Sequence, residues 1–130
     1  MPIHMQWDEQ EGDLIRVRFE GQWQLEDLVL ETDRHYKLLR ENNRPIYYII
    51  DARSSSGLPR GNVIPHLQRI FKLEYQFAVL VGGSYAAHML INMILNLRTP
   101  LNRHFRMVKT MEEAEEIIHK KREEFSKEHD

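Results

Sequence analysis

The chain contains no cysteine. Disulfides, thiolate metal sites and cysteine nucleophiles are therefore excluded, and a reducing compartment is expected. Long apolar runs are also missing. The longest, Tyr85 to Leu97, is interrupted by His88 and Asn92 and falls short of the ~20 residues a bilayer requires, so no membrane span is expected. The opening residues, Met1 to Asp8, lack the basic-then-apolar pattern of a signal peptide, which points to a cytoplasmic location. Tight histidine ligand pairs are absent too. His35, His66, His88 and His104 stand on separate predicted elements, so neither a metal site nor a cofactor is expected. No nucleophile-elbow pattern surrounds any serine. No residue is assigned a catalytic role, and an enzyme ranks last among the functional readings.

What is present describes one globular domain over residues 1–130, with 42% hydrophobic and 29% charged residues. The net charge is −2, but it is unevenly spread. Between Ala52 and Lys109 there are eight bases and a single acid, Glu74, so the flanks carry the acidic excess. A basic middle between acidic ends suits an anionic group or an acidic partner. Scattered, solvated side chains explain the same count. The acidic total argues against nonspecific nucleic-acid binding.

The hydropathy pattern predicts the order β-β-α-β-α-β-α-β-α. Ile3–Gln10 and Leu14–Gln22 read as a hairpin around Glu11-Gly12-Asp13, with Ile15, Val17 and Phe19 alternating against Arg16, Arg18 and Glu20. Leu25 to Glu41 carries an apolar stripe at helical spacing. Ile46 to Asp51 and Gln76 to Val81 read as central strands, apolar on both faces. Helices are predicted from Asn62 to about Leu73 and from Tyr85 to about Arg98, then a short strand from Phe105 to Lys109. Thr110 followed by Glu113 is a capping box. It opens a last helix with Ala114, Ile117, Ile118 and Phe125 inward and Lys120-Lys121-Arg122 as a solvated face. The tail, residues 126–130, is expected to fray. Alternating strands and helices imply an α/β fold with a five-stranded, mixed, mostly parallel sheet.

Two stretches carry a family resemblance. "VRFEGQWQLEDLVLETDRHY" (Val17 to Tyr36) gives a strand, a glycine and an amphipathic helix, and "SSSGL" (Ser54 to Leu58) follows the third strand. Together with the element order, over nearly the whole chain, they resemble the STAS domain of anti-sigma-factor antagonists. The second stretch is similar to that family's Asp-Ser-Ser-Gly-Leu, with Ser54 standing in place of the acid. The resemblance implies a regulatory module that binds a partner protein, with Ser55 as the phosphorylation site.

The residues themselves suggest a working edge. In a parallel sheet the loops leaving the carboxyl ends of the strands gather on one rim, where ligands bind. Arg53, Ser54, Ser55, Ser56, Gly57 and Arg60 would meet Gly82, Gly83 and Ser84 there, together with Lys109 and Thr110. Each group leads into a helix start, with free N–H groups and a positive dipole end suited to an anion. Ser84 and Thr110 as plain helix caps are the competing explanation. The helix from Tyr85 is apolar nearly all round. Met89, Met93 and Leu97 lie on a side left for a neighbouring helix, a homodimer seam or a small apolar ligand such as an acyl chain.

Overall fold

A computed structural model of the protein describes residues 3–8, 12–24, 26–31, 33–34, 45–57, 65, 76–82, 88, 92 and 105–129. Five strands form one sheet: β1 (Ile3–Trp7), β2 (Leu14–Gln22), β3 (Ile46–Gly57), β4 (Gln76–Val81) and β5 (Phe105–Val108). They lie side by side in chain order. β1 runs antiparallel to β2, with Met5 opposite Val17, and every later pairing is parallel. The hairpin closes where the Asp8 N–H donates to the Leu14 carbonyl at 2.8 Å. Its β1 is shorter than the predicted run to Gln10.

Alternation along the strands builds two apolar layers. One face carries Ile15, Val17, Tyr48, Ala52, Ala78, Leu80 and Phe105, packed with Trp23 and Leu28. The opposite face carries Leu14, Tyr47, Ile49, Phe77, Val79, Val81 and Val108. This double burial is why β3 and β4 read as continuous apolar runs rather than as alternating ones. Leu28 sits in a helical stretch, Glu26 to Glu31, the opening of the helix predicted from Leu25. The rest of that helix, beyond Arg34, lies outside the described residues. So do most residues of the two middle helices, of which Pro65, His88 and Asn92 are described and helical.

The C-terminal helix (Met111–His129) covers the second face. Its capping box forms as predicted. The Glu113 N–H donates to Thr110 Oγ1 at 3.2 Å, and the Thr110 hydroxyl lies 3.2 Å from Glu113 Oε1. Ala114 and Ile118 are fully buried against the sheet. The helix extends to His129. One expectation needs correction here: Lys120-Lys121-Arg122 is not one solvated face. Lys120 pairs with Glu116 in solvent, but the Lys121 ammonium lies 4.8 Å from the Phe77 ring centroid. Arg122 lies over Tyr47 and grips both Asp13 oxygens at 2.8 and 2.7 Å. Long aliphatic stems let such cations cover apolar and aromatic surface while their heads stay wet.

Truncating Ile118 leaves a void between helix and sheet. Ile118→Ala is expected to cost about 2–5 kcal/mol in urea unfolding, whereas Lys120→Ala stays within about 0.5 kcal/mol of the parent.

Candidate functional site

β3 does not stop at Asp51, where its apolar residues end. It continues through Arg53, Ser54, Ser55 and Ser56 to Gly57, so the expected serine loop is a strand. The reason lies in its neighbour. β2 runs on to Gln22 and supplies a ladder, pairing Glu20 with Ser54, Gly21 with Ser55 and Gln22 with Gly57. Available backbone partners override the low strand preference of glycine and the weak preference of serine. The register shifts twice, between Arg18 and Glu20 and again between Gly21 and Gln22. Each time β3 fits an extra residue, the signature of a β-bulge, which bends a strand and re-aims its side chains. Gly21 adopts a positive φ of 58° opposite Ser55, and a Cβ placed there would meet nothing within 4 Å.

On the other side, among the described residues, β3 pairs with β4 as far as Asp51 opposite Val81. Immediately beyond, Arg53 folds back. Its Nε and Nη2 donate to the two Asp51 carboxylate oxygens at 2.9 Å each, and its backbone N–H donates to Oδ1 at 3.1 Å. These bonds hold the Asp51 carboxyl below the ordinary aspartate range. Partial burial opposes that shift, and the charge of Arg18 reinforces it. The Arg53 stem lies over Gly82, whose φ is 68°. A Cβ on Gly82 would come within 2.6 Å of Arg53 Cγ. The Gly82 N–H donates to the Val108 carbonyl, and His88 Nε2 lies 3.0 Å from the Gly82 carbonyl oxygen.

The carboxyl ends of β3, β4 and β5 therefore share one rim, bringing Arg53, Gly82, Lys109 and Thr110 to the same edge of the sheet. The arrangement differs from the expected anion cradle in two respects. The Arg53 guanidinium is already engaged by an internal carboxylate, and the Thr110 hydroxyl serves the helix cap. Lys109 is exposed beside it. Arg60, Gly83, Ser84, Met89, Met93 and Leu97 lie outside the described residues.

A charged ladder on the sheet face was not read from the sequence. Arg18 Nε pairs with Glu20 at 2.9 Å, His4 Nε2 sits 3.3 Å from the second Glu20 oxygen, and Arg18 stands opposite Asp51. The alternation of β2 carried the signal, since Arg16, Arg18 and Glu20 share one face. A cleft of about 300 Å³ opens nearer the amino ends of the parallel strands, between the hairpin and the C-terminal helix, over Leu14, Ile49 and Ile118. Arg16 spans it, donating to Asp8 and Glu115 at 2.8 Å each. Its charges tie the hairpin to the helix. Among the described residues no helix is long and apolar enough to cross a membrane, and no cluster of three histidine or carboxylate side chains could hold a metal ion.

No protein-family model matches the chain, and no curated protein matches its sequence. A solved structure does match: an uncharacterized protein from the DUF3478 family with a SpoIIAA-like fold, from Shewanella loihica PV-4. The two share 18% identity with a TM-score of 0.61, over 88% of this chain and 90% of that one. The chain thus has the SpoIIAA-like fold, the one implied by the resemblance to anti-sigma-factor antagonists.

Two measurements check the rim. Asp51 has a depressed folded-state pKa, so its ionised form stabilises the fold above the ordinary carboxylate range. That contribution is lost as pH falls through the lower, folded value. Arg53→Ala should raise the Asp51 midpoint toward the ordinary range in a carboxyl-carbon NMR titration and flatten this acid-side window. Gly82→Ala should destabilise by about 1–3 kcal/mol, from the left-handed backbone and the displaced Arg53 stem. In the Arg53→Ala background the steric part of that loss should vanish, so the double variant loses less than the two single losses combined.

Proposed function

We propose that the protein is a non-enzymatic regulatory module that binds a partner protein through the far end of β2 and β3, with Ser55 as a candidate phosphate acceptor. One observation carries this reading: β3 outruns β4. Beyond Asp51 it is paired, among the described residues, only with β2, and it offers a bulged, serine-rich ribbon at the rim. Bulges at strand ends are devices for presenting side chains. A phosphate on Ser55 would add up to two negative charges and three acceptor oxygens opposite Gly21, where no side chain competes for space. The SpoIIAA-like fold supports a protein-binding role by analogy, and the resemblance of "SSSGL" to the antagonist motif supports the serine.

The alternative, a binder of a small apolar or anionic ligand, draws less support. Arg53 is committed to Asp51, and Arg16 at the cleft is committed to Asp8 and Glu115. A cytoplasmic location and a homodimer stay compatible with the regulatory reading, and native mass spectrometry settles the second.

The test is cross-linking mass spectrometry on the full chain, recovered with its partner from the natural host. Cross-links are expected to concentrate on residues 53–57, and phosphoserine installed at position 55 should remove them. Cross-links confined to the outer face of the C-terminal helix would overturn the proposal. Intact mass of the host-derived protein should show an added ~80 Da if the switch is in use.

A further inference from the structure

β1 stands at the edge of the sheet, and among the described residues it is paired with β2 alone. The phase of its hydrogen bonds is fixed by one contact. The Asp8 N–H donates to the Leu14 carbonyl, in the same register that sets Met5 opposite Val17. Antiparallel pairs alternate between those that exchange hydrogen bonds and those that do not. Asp8, Gln6 and His4 are therefore the bonded positions. Ile3, Met5 and Trp7 fall between them, and their N–H and C=O groups point away from β2, along the open edge.

Natural sheets guard such edges with charges, prolines or bulges. β1 reads Ile-His-Met-Gln-Trp, with no lysine, arginine, acid or proline, and its register against β2 is unshifted. The opposite edge, β5, carries the exposed Arg106. β1 also has an apolar face that is incompletely covered. Ile3 is buried, whereas Met5 and Trp7 are half-buried and pack with Phe19 against the first apolar layer.

We infer that the β1 edge pairs antiparallel with the β1 edge of a second copy of this chain, about a two-fold axis through Met5. That axis pairs all five residues of the strand. Met5 meets Met5 and Ile3 meets Trp7, each pair exchanging N–H···O bonds across the axis. The strand alternates apolar and polar residues in the same order from either end, so it is complementary to itself, as a two-fold contact requires. The apolar layer then runs from one copy into the other. On the polar face His4 meets the neutral Gln6, so no like charges stand directly opposite. The cations behind them are already paired, Arg18 with Glu20 and Arg16 with Asp8 and Glu115. A protonated His4 has Glu20 at 3.3 Å in its own chain. Because the second copy's β1 runs parallel to β2, its serine rim lies at the other end of the joined sheet. β2 separates β1 from β3, so the contact covers neither rim.

The full chain should be a dimer in native mass spectrometry and in sedimentation equilibrium over a concentration series. In hydrogen exchange the Met5 and Trp7 amides should match the protection of His4 and Gln6 in the dimer and fall below it on dilution. Met5→Pro deletes an N–H that β2 does not use and, by symmetry, its counterpart across the axis. It should weaken the dimer about tenfold or more while the Val79 and Val81 amides stay protected. A second pair of variants reads the register without a proline in the strand. The chain has no cysteine, so His4→Cys and Gln6→Cys each add a single thiol at an exposed position. Mixed and oxidised, the two variants should join to each other in preference to themselves. Positions 4 and 6 face one another across the axis without hydrogen bonds, where side chains approach most closely. A monomer at every concentration overturns the inference, whether its Met5 and Trp7 amides are covered by its own chain or open to a foreign strand. So does a dimer in which those amides exchange freely, a dimer that a folded Met5→Pro variant retains in full, or a predominance of disulfides between like variants.

Discussion

The pairing of β2 with β3 is the constraint from which the rest of the molecule follows. β2 is fixed by its hairpin to β1, and β3 is the longest strand of the sheet. Their parallel ladder sets the register in which Ile15 meets Tyr48 and Arg16 meets Ile49. A slip of one residue would exchange the two faces of β3 and send Tyr47 and Ile49 to the layer built for Tyr48 and Ala52. Because both layers are filled, that slip is costly, and the register holds. The same ladder, extended past the apolar residues, carries the serines out to the rim.

At the rim, internal electrostatics have replaced the empty cradle that parallel sheets commonly offer. A guanidinium and a carboxylate two residues apart on one strand face are within easy reach of each other, and their fork is bidentate. Gly82 makes room for the arginine stem, and its positive φ turns the chain away as β4 ends. Its N–H and carbonyl are both used, by Val108 and His88. Among the described residues of this rim, the Arg53 and Asp51 charges are paired with each other.

The fold was legible because its signals are strong and local. β4 appears where its apolar run lies, Gln76 to Val81, and β2 matches the alternation from Leu14 to Gln22. The Thr110–Glu113 box marks the start of the last helix. The misreadings share one physical cause: they depend on neighbours remote in sequence. Nothing within "DARSSSG" favours a strand, and only the overhang of β2 makes it one. Arg122 looks like part of a solvated basic run until Asp13 and Tyr47 come beside it. Which face each of the hydroxyls at 54 and 55 occupies depends on bulges that no local pattern predicts. Asp51, read only as the end of a strand, proves to be the group that controls Arg53.

These particulars bear on why a strand should carry serines at all. A bulge gives up ladder hydrogen bonds, and Ser54 is exposed and Ser55 only half-buried, so neither belongs to the core. A sequence selected for stability alone would end β3 near Ala52, where burial ends, and turn at once. Instead β3 continues for several more residues at the edge of a charged face, held there by its ladder with β2. The positive φ of Gly21 and the two register shifts of the β2–β3 ladder lie within this short stretch, where bulges bend the strand and re-aim its side chains.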